Sequence, residues 1–288
     1  MLYRRIGDIE VSVIGLGAMP LSVDPAPDPD RAEATVHAVL DAGVTVIDTA
    51  DAYTPGSAGY AHGHNEEIVA KALRSYERGD TAVLVATKGG HVRDASGGWN
   101  TDGRPEYLRA ACEDSLRRLG VAAIGLYQHH RPDPEVPYED TMGGLRALLD
   151  AGLVQRVGIS NADPDQIRVA REVIGDGLVS VQNRLSPEFR SSLAELEVCD
   201  ELDLAFLPWS PLGGASRAST LGSEHHAFAE VAEEHGVSPQ QVCLAWLRGL
   251  SPHVIAIPGA SRPESIRDSA ASVDLELTAE QQTALTAA

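Results

Sequence analysis

Short runs of apolar, often β-branched residues alternate along the chain with longer stretches in which apolar positions recur every three or four residues. Runs of the first kind predict strands over 11–17, 44–48, 83–87, 124–129, 155–160, 179–182, 204–208 and 254–257. The second kind predicts helices over 31–42, 66–78, 105–119, 138–151, 164–174, 193–201 and 238–250, with more at 263–270 and 278–286. Gly43, Gly79, Gly120 and Gly152 stand where helices should stop, and Pro105 where one should start. Eight strand-then-helix units imply crossover connections and therefore a parallel sheet. No linker rich in Gly, Ser and Pro separates two halves, so one domain over 1–288 is expected. A closed (β/α)8 TIM barrel suits this pattern better than an open doubly wound sheet. Residues 3–13 read as an N-terminal β-hairpin plugging the barrel's other end, and the material after 257 supplies an extra C-terminal helix.

Composition narrows the function classes. The length of 288 residues is usual for such a barrel, and 43% hydrophobic content is enough for a large core. The net charge of −19, from 42 acidic and 23 basic residues, repels nucleic acid and anionic membrane, so neither is an expected partner. The simplest meaning of that charge is solubility. Cys112, Cys199 and Cys243 are odd in number, far apart and without a CxxC, which suggests neither disulfides nor zinc. His62 and His64 read as loop polarity, and no metal is expected. No stretch approaches the length of a membrane span and no signal-like apolar block precedes Arg4 and Arg5, so a cytoplasmic location is expected.

In a barrel the strand C-termini converge on one mouth, and that face carries the chemistry. Asp48 ends the second strand and Tyr53 follows it; Lys88 ends the third; His129 and His130 end the fourth. Lysine occurs at only two positions, 71 and 88, against 21 arginines, so a lysine at a strand end is not a casual surface charge. Together Asp48, Tyr53, Lys88 and His130 suit carbonyl reduction. Hydride addition leaves charge on oxygen, which Tyr53 can protonate. Lys88 beside it should lower the phenol's pKa, Asp48 should hold Lys88 charged, and His130 can orient the substrate oxygen. Each residue alone has a plainer explanation, a helix cap for Asp48 or packing for Tyr53; the set of four is seldom chance.

At these residues the chain resembles the aldo-keto reductase family over nearly its whole length. The matching segments are IGLGAMPL, VIDTADAY with HNEEIVAKAL, ATKGG, IGLYQHHRPDP, VQRVGISN, VQN, PWSPLGG and IPGASRPESIRDS, in order and at fitting spacing. The resemblance implies an NADPH-dependent oxidoreductase with the tetrad Asp48, Tyr53, Lys88 and His130. It implies that Ser160, Asn161 and Gln182 hold the nicotinamide carboxamide, and that Trp209 stacks on the nicotinamide where the family often has Tyr. Ser210, Leu212 and Gly214 would line the pyrophosphate. Ser261 and Arg262 would bind the 2′-phosphate, which argues for NADPH over NADH. Gly17, Ala18, Met19, Asp48, Gly259 and Asp268 complete the implied cofactor contacts. No Rossmann signature is present: Gly15-Leu16-Gly17 lacks the third glycine.

The chain departs from the family at Gly125, where Asp is usual, and at Ser269, where Asn is common. Alternation along the fourth strand, with the spacing from Tyr127, favours His130 as the catalytic histidine and turns His129 outward. Two long loops, 89–104 and 212–223, lie on the active-site face, and the polar segment 216–226 is expected to close over the cofactor. Met19, Trp99 and Trp209 would make an apolar rim, and with Tyr53 and His130 they would meet a small carbonyl substrate, a medium-sized aldehyde or ketone. Two other readings keep the barrel: a Schiff-base lyase with Lys88 as nucleophile, which the adjacent Asp48 opposes, and a cofactor-binding regulatory subunit, which an intact tetrad opposes.

Overall fold

The alternation becomes structure with most boundaries in place. The computed structural model describes residues 1–23, 28–55, 62–77, 82–93, 98–214 and 217–288. In chain order its elements are β1 (Tyr3–Ile6), β2 (Ile9–Ser12), β3 (Leu16–Gly17), α1 (Pro29–Asp41), β4 (Val46–Asp48), α2 (His64–Ser75) and β5 (Leu84–Gly89). Then come β6 (His91–Arg93), β7 (Trp99–Thr101), α3 (Pro105–Leu119), β8 (Leu126–His129), α4 (Tyr138–Asp150), β9 (Val157–Ser160), α5 (Pro164–Ile174) and β10 (Leu178–Gln182). The last part holds α6 (Leu193–Leu202), β11 (Ala205–Phe206), α7 (Leu221–Glu224), α8 (His226–His235), α9 (Pro239–Leu250), α10 (Pro263–Ala271) and α11 (Ala279–Ala287). Proline sits in the first turn of α1, α3, α5, α9 and α10, where its missing N–H costs nothing. Asp163 and Gln166 close a capping box on α5, and Thr278 and Gln281 one on α11.

Seven strands form one parallel sheet in the order β11-β10-β9-β8-β5-β4-β3. Residues 254–259 close it. Val254 bridges Phe206 at one edge, while Ala256 and Gly259 bridge Ile14 and Gly17 at the other. The expected eighth strand is therefore a run of single bridges with no ladder, yet it joins both edges into a (β/α)8 barrel. The expected first strand over 11–17 is two pieces: β2 belongs to the hairpin, while Leu16 and Gly17 pair with β4 and Ile14 bridges Ala256. Gly7 turns that hairpin at φ +59°, and a Cβ there would stand 2.6 Å from Val179 Cγ1.

Strand alternation divides the core. Ile6 and Val11 of the hairpin pack with Val46, Leu84, Ala86, Leu126, Leu207 and Ile257 inside the barrel, plugging its lower end as expected. Ile47 packs outward on α1 and α2, and Val157, Ile159 and Val181 face the remaining helices. One period further up, the inward positions after Val46, Ala86 and Leu126 turn polar, as Asp48, Lys88 and Gln128, and these are buried with Gln182 of β10.

Three local expectations need correction. The segment 89–104 carries an antiparallel pair, β6 with β7, joined by residues of which 94–97 lie outside the described set. The segment read as loop from 212 gives way to α7 and then to α8, a helix missed although Phe228, Val231 and Ala232 bury one face of it. The helix expected over 66–78 runs from His64 to Ser75, and its expected stop, Gly79, is outside the described residues.

Candidate active site

At the mouth of the barrel the lysine is the hub. Lys88 is fully buried, and its Nζ donates to Asp48 Oδ2 at 2.6 Å, to the backbone oxygen of Thr49 at 3.0 Å and to Tyr53 Oη at 3.0 Å. All three donors of the ammonium are used. Burial opposes its charge, but Asp48 and Tyr53 outweigh that and hold Lys88 above the usual lysine value. The other carboxylate oxygen of Asp48 accepts from Gln128 Nε2 at 3.1 Å and Gln182 Nε2 at 2.8 Å. Gln128 was not anticipated. Its signal was parity: it lies two residues before His130 and so faces the same side of β8.

Burial is the largest influence on Tyr53 and raises its pKa, against the lowering effect of Lys88. The expected net depression is thus reversed, because burial of the phenol outweighs the charge of Lys88, with Asp48 adding in the same direction as burial. His130 lies with its ring 5.6 Å from that of Tyr53, edge to face. Burial first, then Lys88, pushes His130 well below the usual histidine value, so the ring is neutral. The adjacent histidine faces the helices, where it is buried near Tyr138 with their ring centroids 6.2 Å apart. Neither ring nitrogen of His129 has a hydrogen-bond partner, and burial lowers its pKa to about 4.

A second network fixes the loop that carries the tyrosine. Buried Asn65 accepts from Thr49 Oγ1 at 2.6 Å and donates to Ala18 O at 2.8 Å and Ser22 Oγ at 2.7 Å. Ser22 Oγ donates in turn to Tyr53 O at 2.8 Å. Behind it, Glu66 accepts from Thr87 Oγ1 at 2.5 Å and pairs with Arg118 at 2.6 Å. Sequence reasoning missed Asn65 and Glu66, which lie in the quoted segment HNEE at the start of α2.

The remaining expected residues ring the same mouth. Ser160 Oγ donates to Gln182 O at 2.6 Å, and Asn161, at φ +57°, donates to His130 O at 2.9 Å. Trp209 is half-buried, its Nε1 without a partner, as is Asn183 Oδ1. Ser210, Gly213 and Gly214 follow at φ +49°, +86° and +102°, and Leu212 between them is buried. Gly17 and Gly259 let two backbones meet: a Cβ on Gly17 would stand 2.8 Å from Ile257 O. Ala18 donates its N–H to Asp48 O at 2.8 Å, while Met19 and Trp99 are exposed at the rim. Arg262 is exposed at the start of α10, which has no side-chain cap, and Ser261 precedes it. Asp268 is engaged elsewhere, accepting from Ser238 Oγ at 2.8 Å and Gln241 Nε2 at 2.6 Å. Among the described residues no group of His, Cys, Asp and Glu is arranged to hold a metal, and no helix is long and apolar enough to cross a membrane.

A proton donor against an ammonium, beside a neutral imidazole at the barrel's mouth, can protonate an oxygen on which negative charge develops. Comparison with known proteins agrees with that chemistry. The model of the Aldo/keto reductase family matches residues 13–288. An uncharacterized oxidoreductase of Schizosaccharomyces pombe is 32% identical over 282 residues, covering 96% of this chain and 86% of its own. A probable aldo-keto reductase of Glycine max is 30% identical over 298 residues, covering 93% and 83%. Among solved structures, a glycerol dehydrogenase from Gluconobacter oxydans superimposes with a TM-score of 0.82 at 29% identity, covering 99% of this chain and 94% of that one. A thermostable aldo-keto reductase bound to the inhibitor epalrestat also gives 0.82, at 28% identity, covering 100% and 99%.

Proposed function

We propose, from the premise that this chain belongs to the aldo/keto reductase family, that it is a single-barrel NADPH-dependent reductase of small aldehydes or ketones. Family membership makes it an oxidoreductase and implies nicotinamide-dependent carbonyl reduction; the choice of NADPH, the proton donor and the substrate are our reading. The observation that carries it is the buried Lys88, with one bond to Asp48 and one to Tyr53.

The residues present fit a dinucleotide phosphate. Trp209 offers a half-buried aromatic face with an unpartnered indole N–H, and the glycine pair 213–214 leaves room for a close backbone approach. The N-terminus of α10, without a side-chain cap, lies at Arg262 and Ser261, which favours an anionic group such as a 2′-phosphate. Ser160, Asn161 and Gln182 would hold the carboxamide, although Gln182 Nε2 is already given to Asp48. When bound, the cofactor supplies the hydride.

The chain's own residues handle the proton. Tyr53, held protonated by burial, gives its Oη proton to the carbonyl oxygen as charge builds there. Lys88 at 3.0 Å stabilises the phenolate left behind. Asp48 keeps Lys88 charged and in place, which also argues against a Schiff-base role, since such a lysine must be neutral to attack. Neutral His130 donates a hydrogen bond to the same oxygen and orients it. Met19, Trp99 and Trp209 form the apolar rim.

Titration of the purified protein with NADPH and NADH, followed by tryptophan fluorescence, tests this reading. Tight NADPH with weak NADH binding is expected; no binding of either would overturn it.

A further inference from the structure

The imidazole of His130 is held at its backbone but not at its ring nitrogen. The backbone N–H of His130 donates to Gly89 O at 2.9 Å, and its backbone C=O accepts from Asn161 Nδ2 at 2.9 Å. Its Nδ1 is buried and has no hydrogen-bond partner. Metal-binding and catalytic imidazoles are usually aimed by a hydrogen bond at the second nitrogen. Here something else must set the ring's angle.

Two neighbouring rings do so. Tyr53 meets His130 edge to face. His91 meets it at 4.9 Å with an interplanar angle of 75°. His91 is itself stacked on Trp99, 4.3 Å between centroids and 16° from parallel, and the Arg93 guanidinium lies 3.4 Å over the Trp99 ring. All three residues belong to the β6–β7 pair, in which Arg93 sits opposite Trp99. Gly90, at φ +94°, is the single residue between β5 and that pair. Stacked and edge-to-face aromatic pairs have defined geometry and resist tilting.

We propose that His91 is a positioning residue: backed by Trp99 and Arg93, it clamps His130 in the orientation that presents a ring N–H to the carbonyl oxygen. This rests on the reading of His130 as the group that orients that oxygen. His91 itself carries no proton in the reaction. Burial, then Arg131 and Arg93, lower its pKa to about 4, so it stays neutral and acts through its face and edge.

The test compares His91→Ala with His91→Phe, which keeps a flat ring and loses the nitrogens. Wild type and both variants are assayed with NADPH and an aromatic aldehyde, and NADPH affinity and melting temperature are measured alongside. In parallel, ¹⁵N-histidine relaxation dispersion is recorded on the His130 ring without cofactor. With the clamp, His91→Ala lowers kcat by about 100-fold at little cost in KM or NADPH affinity, as expected for a misplaced catalytic group. His91→Phe recovers most of that loss. His130 shows microsecond–millisecond exchange in the Ala variant only. A rise in KM with kcat unchanged makes His91 a mere wall of the substrate site and overturns the proposal. Equal loss in both variants overturns it too, because nitrogen chemistry rather than stacking would then be at work. If wild type reduces no carbonyl, the reductase reading fails, while the dispersion data still decide the clamp.

Discussion

Replacing Lys88 by Met separates the stability of the site from its chemistry. The substitution leaves the Asp48 carboxylate inside the barrel with Oδ2 stripped of its ammonium, since Lys88 is fully buried and Asp48 nearly so. Removing one partner of a buried ion pair costs about 3–5 kcal/mol. Replacing both partners should restore most of that. In Asp48→Asn/Lys88→Met the amide oxygen still accepts from Gln128 and Gln182, and no net charge stays buried. The linkage has a definite sign. Lys88 is raised above its usual value near 10.5, so the stability it contributes is full below that pH and is lost as pH rises through the higher folded value. Urea unfolding at pH 7 is the assay, with carbonyl reduction measured on the same samples. The single variant should be unstable and inactive; the double variant should be nearly as stable as wild type and still inactive. A single variant that loses under about 1 kcal/mol, with no recovery in the double, would show that no buried pair forms and would refute the argument.

Tyr53→Phe should lower carbonyl reduction by about 10²–10⁴-fold with NADPH affinity unchanged, measured by single-turnover kinetics and fluorescence titration. Because burial raises the Tyr53 pKa, reduction by wild type should hold its rate well into the alkaline range, while alcohol oxidation, which needs the phenolate, should climb there; parallel pH profiles check this. Arg262→Ala should weaken NADPH by about tenfold to a hundredfold, the range for a lost charge-assisted hydrogen bond, and leave NADH nearly unaffected. His129, depressed to about 4, stabilises the fold above its unfolded pKa of 6.5 and loses that stability as pH falls toward 4. The unfolding free energies of wild type and His129→Phe should therefore converge or cross by about 2 kcal/mol between pH 7 and pH 5; a difference that is flat with pH would mean the ring is hydrated or paired.

Much of the molecule was legible because its signals are local. A helix shows its 3.6-residue period within its own few turns, and Pro105, Gly120 and the ends of α3 coincide in sequence and structure. The period of two along a strand fixes which residues share a face. It put Asp48 and Lys88 at the barrel's mouth, and it turned His130 inward and His129 toward the helices. The short helix α8 was legible too, since Ala227, Phe228, Val231 and Ala232 keep helical spacing. It was lost beside a polar stretch.

Other features exist only once the barrel closes. Residues 254–257 have the composition of a strand, but with 258–259 they meet the two edges of the sheet through single bridges only, a pairing that local sequence does not contain. The two glutamine partners of Asp48 come from 80 and 134 residues away. The Tyr53 pKa was expected to fall from the nearness of Lys88, and it rises because burial and Asp48 enter the same sum. The stack of His91, Trp99 and Arg93 behind His130 is likewise invisible in a linear reading. Sequence by itself determined the periods, and through them which way each side chain faces, because backbone geometry repeats over neighbours. Tertiary structure alone decided the electrostatics and the aim of the catalytic groups, because these are sums over atoms that only folding brings together.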